Sequence, residues 1–331
     1  MKMRIEELTD YNNLKNLIPV WEKLCINDNN ATPFQFPQWL IPWWSHFGGS
    51  NLRCVSMYES GNLVGLALFF IYRQENGVRK LCFVGSGISD YLDIISLQSC
   101  RQTVIKLVLE YLSDIKPQWD ECDLQDIRAG ASVLDAPCPE GLRASIEKWN
   151  VCPYLELPLR IENIRSVIPK NLRKNLKHAS KELSIQGNIE LRIADKKSIN
   201  EYINEFVRLH NARWNSRQMP GVIGTADLQS FYRETCNLLQ SARLLRLYIL
   251  YLNDKAVASY LIMSKDSTSY AYLGGFDPEM ETYSPGSLAI FMIIEDSIKK
   301  GCRIFDFLRG AEDYKYLWRP KDRINYRLRF Y

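Results

Sequence analysis

The chain has 331 residues, and at about 150 residues per domain two packed units are expected rather than one small binding module. Lys and Arg number 42 against 38 Asp and Glu, a net charge of +4, so no whole-chain field favours nucleic acid and any basic partner site must be local. Hydrophobic residues at 46% and charged residues at 24% exclude disorder and collagen-like structure.

The opening MKMRIEELTDY lacks the apolar core of a signal peptide, and the longest apolar run, Leu63 to Tyr72, is about half a transmembrane span. The 9 cysteines form no C-x-x-C and mostly sit in apolar runs such as Leu81-Cys82-Phe83, the pattern of reduced thiols. A cytoplasmic protein is expected.

LRCVSMY (52–58) and LVGLALFFIY (63–72) are strand-like runs joined at Glu59-Ser60-Gly61-Asn62, which predicts a hairpin. A third strand follows at Lys80 to Val84. QTVIKLVLEYLSDI then places Val104, Leu107, Val108, Tyr111 and Leu112 at helical spacing, and a strand runs from Cys122 to Ile127. CPYLELP (152–158) reads as a strand closing or crossing the first unit. From Arg165 to Leu183 a helix is predicted, with Ile168, Leu172, Leu176, Ala179 and Leu183 on one face and Arg173, Lys177 and Lys181 on another. Asn200 to Arg217 and Ala226 to Ala242 read as two more helices.

The earlier order then returns: strands at 244–252 and 255–263 about a turn at Asn253-Asp254, a third strand SYAYLGG (269–275), a helix from Pro285 to Lys300 stopped by Gly301, and a strand from Cys302 to Leu308. Arg323 to Tyr331 alternates as a final strand. Hairpin, strand, helix, strand thus occurs twice, about 190 residues apart, too far for a solenoid. Two copies of one α/β domain are expected, spanning residues 1–160 and 161–331.

Tyr283-Ser284-Pro285-Gly286-Ser287 opens a helix with free N–H groups, and Gly286 admits a close ligand; the segment suits a pyrophosphate or is an ordinary helix start. Asp306 alternates with Phe305 and Phe307, so its carboxylate needs a substrate or a partner. It either orients or deprotonates a substrate group, or forms a salt bridge to Arg309 or Lys315 that fixes the next loop. Arg309-Gly310 reads as a pocket rim, and Lys315 as an anion contact or a solvated lysine. His210, Arg213, Trp214 and Arg217 share a helix face, lining an acceptor cleft or packing with Trp214 as a core anchor. Lys170, Arg173, Lys174, Lys177 and Lys181 form a stripe that is either a solvated face or a contact for the phosphates of a ligand. His46 and His178 lack metal-ligand spacing, so no metal is expected.

YLELP (154–158), NLRKNLKHASKEL (171–183), LHNARW (209–214), YSPGSL (283–288) and FDFLRGAEDYKYLW (305–318) resemble acyltransferases associated with cellulose-biosynthesis operons, the CelD/BcsL type, within the GNAT superfamily. FQFPQWLIPWW (34–44) and SDYLD (89–93) extend the resemblance over nearly the whole chain. It implies tandem GNAT-like domains, each a mixed, mostly antiparallel splayed sheet flanked by helices, with kinship to Fem-type aminoacyltransferases. The chain departs from the simple GNAT pattern in carrying Glu281-Thr282-Tyr283-Ser284-Pro285-Gly286 where a full R-x-x-G-x-G/A would stand.

The resemblance implies an N-acyltransferase moving an acyl group from acetyl-CoA or another acyl-CoA to an amino group on a sugar or small metabolite. It places coenzyme A at Tyr283, Ser284, Gly286, Ser287 and Leu288, and the acceptor at His210, Arg213, Trp214 and Arg309. Asp306, Tyr314 and Lys315 become the catalytic candidates, Tyr314 as proton donor to the leaving thiolate with Tyr316 as its alternate. The first copy, with Leu97-Gln98-Ser99-Cys100-Arg101 before its helix, is expected to be degenerate. The alternatives are aminoacyl transfer from tRNA and a non-catalytic scaffold in polysaccharide assembly.

Overall fold

The computed structural model describes residues 3–216, 218 and 221–331. It divides into two compact units, one holding the chain up to Asn150 together with Arg323–Tyr331, the other Val151–Asp322. In chain order the elements are β1 (Arg4–Leu8), α1 (Tyr11–Asn16), α2 (Ile18–Asn27), α3 (Pro37–Phe47), β2 (Leu52–Glu59), β3 (Asn62–Arg73), β4 (Arg79–Phe83), β5 (Ile95–Ser96), α4 (Arg101–Asp114), β6 (Glu121–Arg128) and β7 (Ala144–Glu156). There follow α5 (Lys170–Gln186), β8 (Ile189–Ile193), α6 (Ile199–Asn215), α7 (Ala226–Ser241), β9 (Leu245–Leu252), β10 (Lys255–Lys265), β11 (Thr268–Phe276), α8 (Pro285–Lys299), β12 (Ile304–Asp306), α9 (Asp313–Tyr316) and β13 (Lys321–Phe330). Among the described residues no helix is long and apolar enough to cross a membrane.

In the first unit the sheet runs β1-β2-β3-β4-β6-β13. All neighbours are antiparallel except β4 and β6, which pair in parallel at Lys80–Glu121 and Leu81–Cys122. The hairpin forms where the sequence predicts it: Ser60 and Gly61 have φ of 51° and 81°, the two positive values that a two-residue turn needs to match strand twist. Helix α4 buries Val104, Ile105, Val108, Leu109 and Leu112, so its inward face lies one position from the one drawn through Leu107 and Tyr111. β13 joins this unit because it pairs antiparallel with β6, with Leu328 opposite Leu124.

In the second unit the sheet runs from the latter part of β7 through β12, β11, β10 and β9 to β8. Its hairpin turn, Asn253-Asp254, again has two positive φ values, 49° and 63°. β11 and β12 are again a parallel pair joined through a helix, and every other pairing is antiparallel. The two units thus repeat one α/β plan down to the turn chemistry.

Three boundaries differ from the sequence expectation. The segment 152–158 belongs to the second unit and so neither closes nor crosses the sheet of the first: Tyr154, Leu155 and Glu156 pair with β12. Residues Ile161–Ser166 form a 3-10 turn, and Pro169 delays α5 to Lys170 because proline disfavours helix at the preceding residue. The strand predicted over 302–308 pairs as a strand only at Ile304–Asp306. The short strand β1 and helices α1 to α3 carry no periodicity strong enough to have been predicted.

The first unit contains a buried charge pair just ahead of its crossover helix. Arg101 donates to the Asp28 carboxylate and, at 3.0 Å, to the Ser96 carbonyl, while Asp28 also accepts from the Ser96 and Asn30 N–H groups. Removing one partner strands a buried charge. Asp28→Ala is expected to lower stability by about 3–5 kcal/mol, and Asp28→Ala with Arg101→Met to recover part of that loss. Urea midpoints measure both; a single-variant loss near zero would show that the pair is not needed.

Candidate active site

The parallel pairing of β11 and β12 covers three residues, Thr268–Ile304, Ser269–Phe305 and Tyr270–Asp306, and then ends. β11 continues on β10 to Phe276, whereas the chain beyond Asp306 stays on β7, with the Phe307 N–H on Pro153 and the Gly310 N–H on Val151. The two strands therefore part in a V whose β11 edge, from Ala271 onward, has no paired strand among the described residues. An extended ligand with amide groups can complete such an edge.

At the end of β11 the chain turns into α8, whose cap residue Ser284 is left-handed at φ 51° and makes no side-chain cap bond. The first helical N–H groups, at Gly286 and Ser287, are thus free to meet an anion. Tyr260 of β10 reaches this point, a residue that sequence reasoning missed. A Cβ on Gly286 would lie 3.3 Å from the Tyr260 hydroxyl, and one on Gly274 would lie 2.3 Å from its ring. Both glycines make room for this phenol, which burial pushes up to about 12. Leu288 is buried, so its side chain serves the core and only its backbone belongs to the helix start.

Helix α6 presents His210, Arg213 and Trp214 together, as their spacing predicts; Arg217 lies outside the described residues. His210, 1% exposed, has Nδ1 at 3.2 Å from the Gly274 carbonyl. A carbonyl only accepts, so Nδ1 carries the proton and Nε2 keeps its lone pair, with no partner among the described residues. Burial lowers this imidazole to about 4, keeping it neutral at pH 7. The Arg213 guanidinium lies 5.4 Å from the Phe276 ring centre, 5.5 Å from that of Tyr314 and 5.8 Å from that of Trp214.

The FDFLRG segment is folded by its own polar groups. Asp306, fully buried, accepts the Leu308 N–H at 2.8 Å and so props a turn in which Leu308 sits at φ 59°. The Lys315 ammonium donates to the carbonyls of Leu308, Arg309 and Gly310 at 3.1, 2.8 and 3.1 Å and pairs with Glu312 at 2.8 Å. Its protons are committed, which makes it a clamp on this loop rather than an anion contact or a solvated lysine. Half-buried Arg309 enters the clamp through its carbonyl. Burial raises Tyr314 well above the usual phenol range, and its neighbour Tyr260 opposes its ionisation further. Tyr316 turns outward, its hydroxyl on Asp322 at 3.1 Å.

The cation stripe of α5, in which Lys174, Lys177 and Lys181 are exposed, borders a groove. Lys170, Arg173, Lys174, Lys177 and Lys181 line one wall of this 1440 Å³ groove whose other wall is Leu288, Phe291, Met292 and Glu295 of α8.

The neutral imidazole has a consequence for stability. His210 protonates near pH 6.5 in the unfolded chain but only near 4 when folded, so the unfolded state binds more protons between these values. Stability is expected to fall as pH drops from about 6.5 to about 4, and His210→Asn to flatten that limb. Urea midpoints across this range decide; parallel acid limbs in the two proteins would contradict the assignment.

Residues 170–316 match the family model described as acetyltransferase (GNAT) domain. No curated protein matches the sequence. Among solved structures, FemX aligns with a TM-score of 0.65 at 10% identity, over 97% of this chain and 96% of that one. A conserved protein of unknown function from Bacteroides thetaiotaomicron VPI-5482 aligns at 0.64 and 11% identity, over 99% of both chains. The C-terminal domain (DUF2156) of a putative lysylphosphatidylglycerol synthetase from Agrobacterium fabrum aligns at 0.61 and 11% identity, over 95% and 91%. These likenesses are of fold. The match to an acetyltransferase (GNAT) domain thus covers residues 170–316, with the split strands inside it.

Proposed function

We propose that the second unit moves an acyl group from acyl-CoA to an amino group of a sugar or small metabolite, in polysaccharide or cell-envelope biosynthesis, as the CelD/BcsL resemblance suggests. One observation carries this reading: the V between β11 and β12 opens directly onto the uncapped start of α8 and the cluster of Arg213, Tyr260 and Tyr314. The donor arm lies along the free edge of β11, with its pyrophosphate on the Gly286 and Ser287 N–H groups. The acceptor amine passes a proton to the lone pair of His210 Nε2 and attacks the thioester carbon. As the carbon–sulfur bond breaks, Tyr314 gives its proton to the thiolate. A phenol held protonated by burial suits that role. Asp306 and Lys315 act at one remove, holding the loop that carries Tyr314.

The first unit is proposed to be a non-catalytic copy. Its own V, between β4 and β6, is filled by the chain: the Leu92 N–H bonds to the Asp126 carbonyl, Ser89 accepts from the Trp39 indole and Tyr91 is buried. The Asp28–Arg101 pair occupies the approach to α4, where the second unit has a free helix start.

The groove between α5 and α8 favours a second reading, an aminoacyl-tRNA donor, because five cations on one wall exceed what a single nucleotide requires. Calorimetry separates the two. Acetyl-CoA should bind wild type and weaken by tenfold or more in Ser287→Glu, which adds negative charge at the helix start, and in Gly286→Val, which also crowds Tyr260. Unchanged affinity in both would displace the pyrophosphate from α8. Tyr314→Phe should slow turnover by about ten- to a hundredfold with donor affinity kept; full activity would remove Tyr314 as the acid. Reversing Arg173, Lys177 and Lys181 to Glu tests the groove. If tRNA is the donor, binding falls with salt at a log-log slope of about −0.7 to −0.9 per neutralised phosphate, and the triple variant loses it.

A further inference from the structure

From unpartnered polar atoms beside the V, we infer that the acceptor is a zwitterion, an amine with an anionic group a few bonds away, read by Arg213 and Trp214. This deepens the acyl-transfer reading and rests on it. Arg213 has no carboxylate partner among the described residues, and its one hydrogen bond, Nη1 to the Gly274 carbonyl, is long at 3.5 Å. Three aromatic rings surround the guanidinium, so solvent replaces the missing counter-ion poorly. Arg213 Nε and Trp214 Nε1 are both buried without a partner among the described residues. Two N–H donors, one of them cationic, thus stand idle beside one idle acceptor, His210 Nε2. A free amine or simple alcohol satisfies only the acceptor. A molecule whose ammonium meets Nε2 and whose carboxylate or phosphate meets Arg213 and Trp214 satisfies all three, and each charge-assisted bond is of the stronger kind.

The test uses twins that differ in the anionic group alone. L-alanine against L-alaninamide probes a carboxylate, and glucosamine 6-phosphate against glucosamine probes a phosphate, each titrated calorimetrically into the full chain with and without acetyl-CoA. The charged twin of one pair should bind at least tenfold more tightly, and the pair that shows it names the anion. Arg213→Met, which keeps an apolar stem among the rings, should abolish the preference while leaving the affinity for acetyl-CoA unchanged. Trp214→Phe, which keeps a ring and removes only the indole N–H, should reduce it several-fold and serves alone if Arg213→Met does not fold. Equal affinity within both pairs, no binding by any of the four, or a preference that survives both substitutions would overturn the inference. Failure of acetyl-CoA to bind while a charged twin is still preferred would instead strike the donor reading and leave the anion site standing.

Discussion

The second unit is organised by a pairing that stops early. Three residues of β12 bond to β11, after which a left-handed turn at Leu308, propped by the Asp306 carboxylate, keeps the chain on β7. Had the pairing continued, the edge of β11 would be closed and the second unit would be a sheet without a cleft. Backbone groups at an unpaired edge retain their full hydrogen-bonding capacity, which makes the gap a place for an extended ligand. The buried polar residues of the FDFLRG segment find their reason here. Asp306 holds the turn and Lys315 ties three carbonyls behind it, which presents Tyr314 to the opening on a short helix that would be unstable alone.

The duplicated plan shows how one architecture supports two outcomes. Both units place a helix between two parallel strands and pair those strands over only two or three residues. In the first, Ser89 to Asp93 takes up the space and bonds into it. In the second, no backbone segment of the described residues does so, and side chains from α6, β10 and α9 gather around it. The contrast comes from what fills the gap, since the sheet order is the same in kind.

Electrostatics at the opening follow burial more than net charge. Desolvation keeps His210 neutral and Tyr260 and Tyr314 protonated at pH 7, so the cluster offers one lone pair and two phenolic protons. Arg213 is its formal cation, held by aromatic faces in place of a carboxylate. The larger cation reserve lies on α5, along the groove wall, where Lys174 and Lys177 are exposed.

Local signals were legible in the sequence because their causes are local. Turn residues at Ser60-Gly61 and Asn253-Asp254 set both hairpins, helical spacing set the inward face of α5, and Pro285 and Gly301 bracketed α8. The spacing of His210, Arg213 and Trp214 already placed them on one face. The length of the parallel pairing was not legible, because it depends on partners 36 residues apart and on a turn held by one carboxylate. Tyr260 gave no signal either; it stands in an apolar strand, and only packing against Gly274 and Gly286 brings its hydroxyl to the start of α8. For Lys315, sequence offered an anion contact, a solvated charge or a salt bridge to Asp306 that fixes the next loop, and tertiary structure supplied three carbonyls of that loop and a glutamate. The sequence by itself therefore determined the elements and their repetition, through propensity and periodicity. Tertiary structure decided where the sheet opens and which polar groups remain unpaired, because hydrogen-bond satisfaction is settled by contacts between residues distant in the chain.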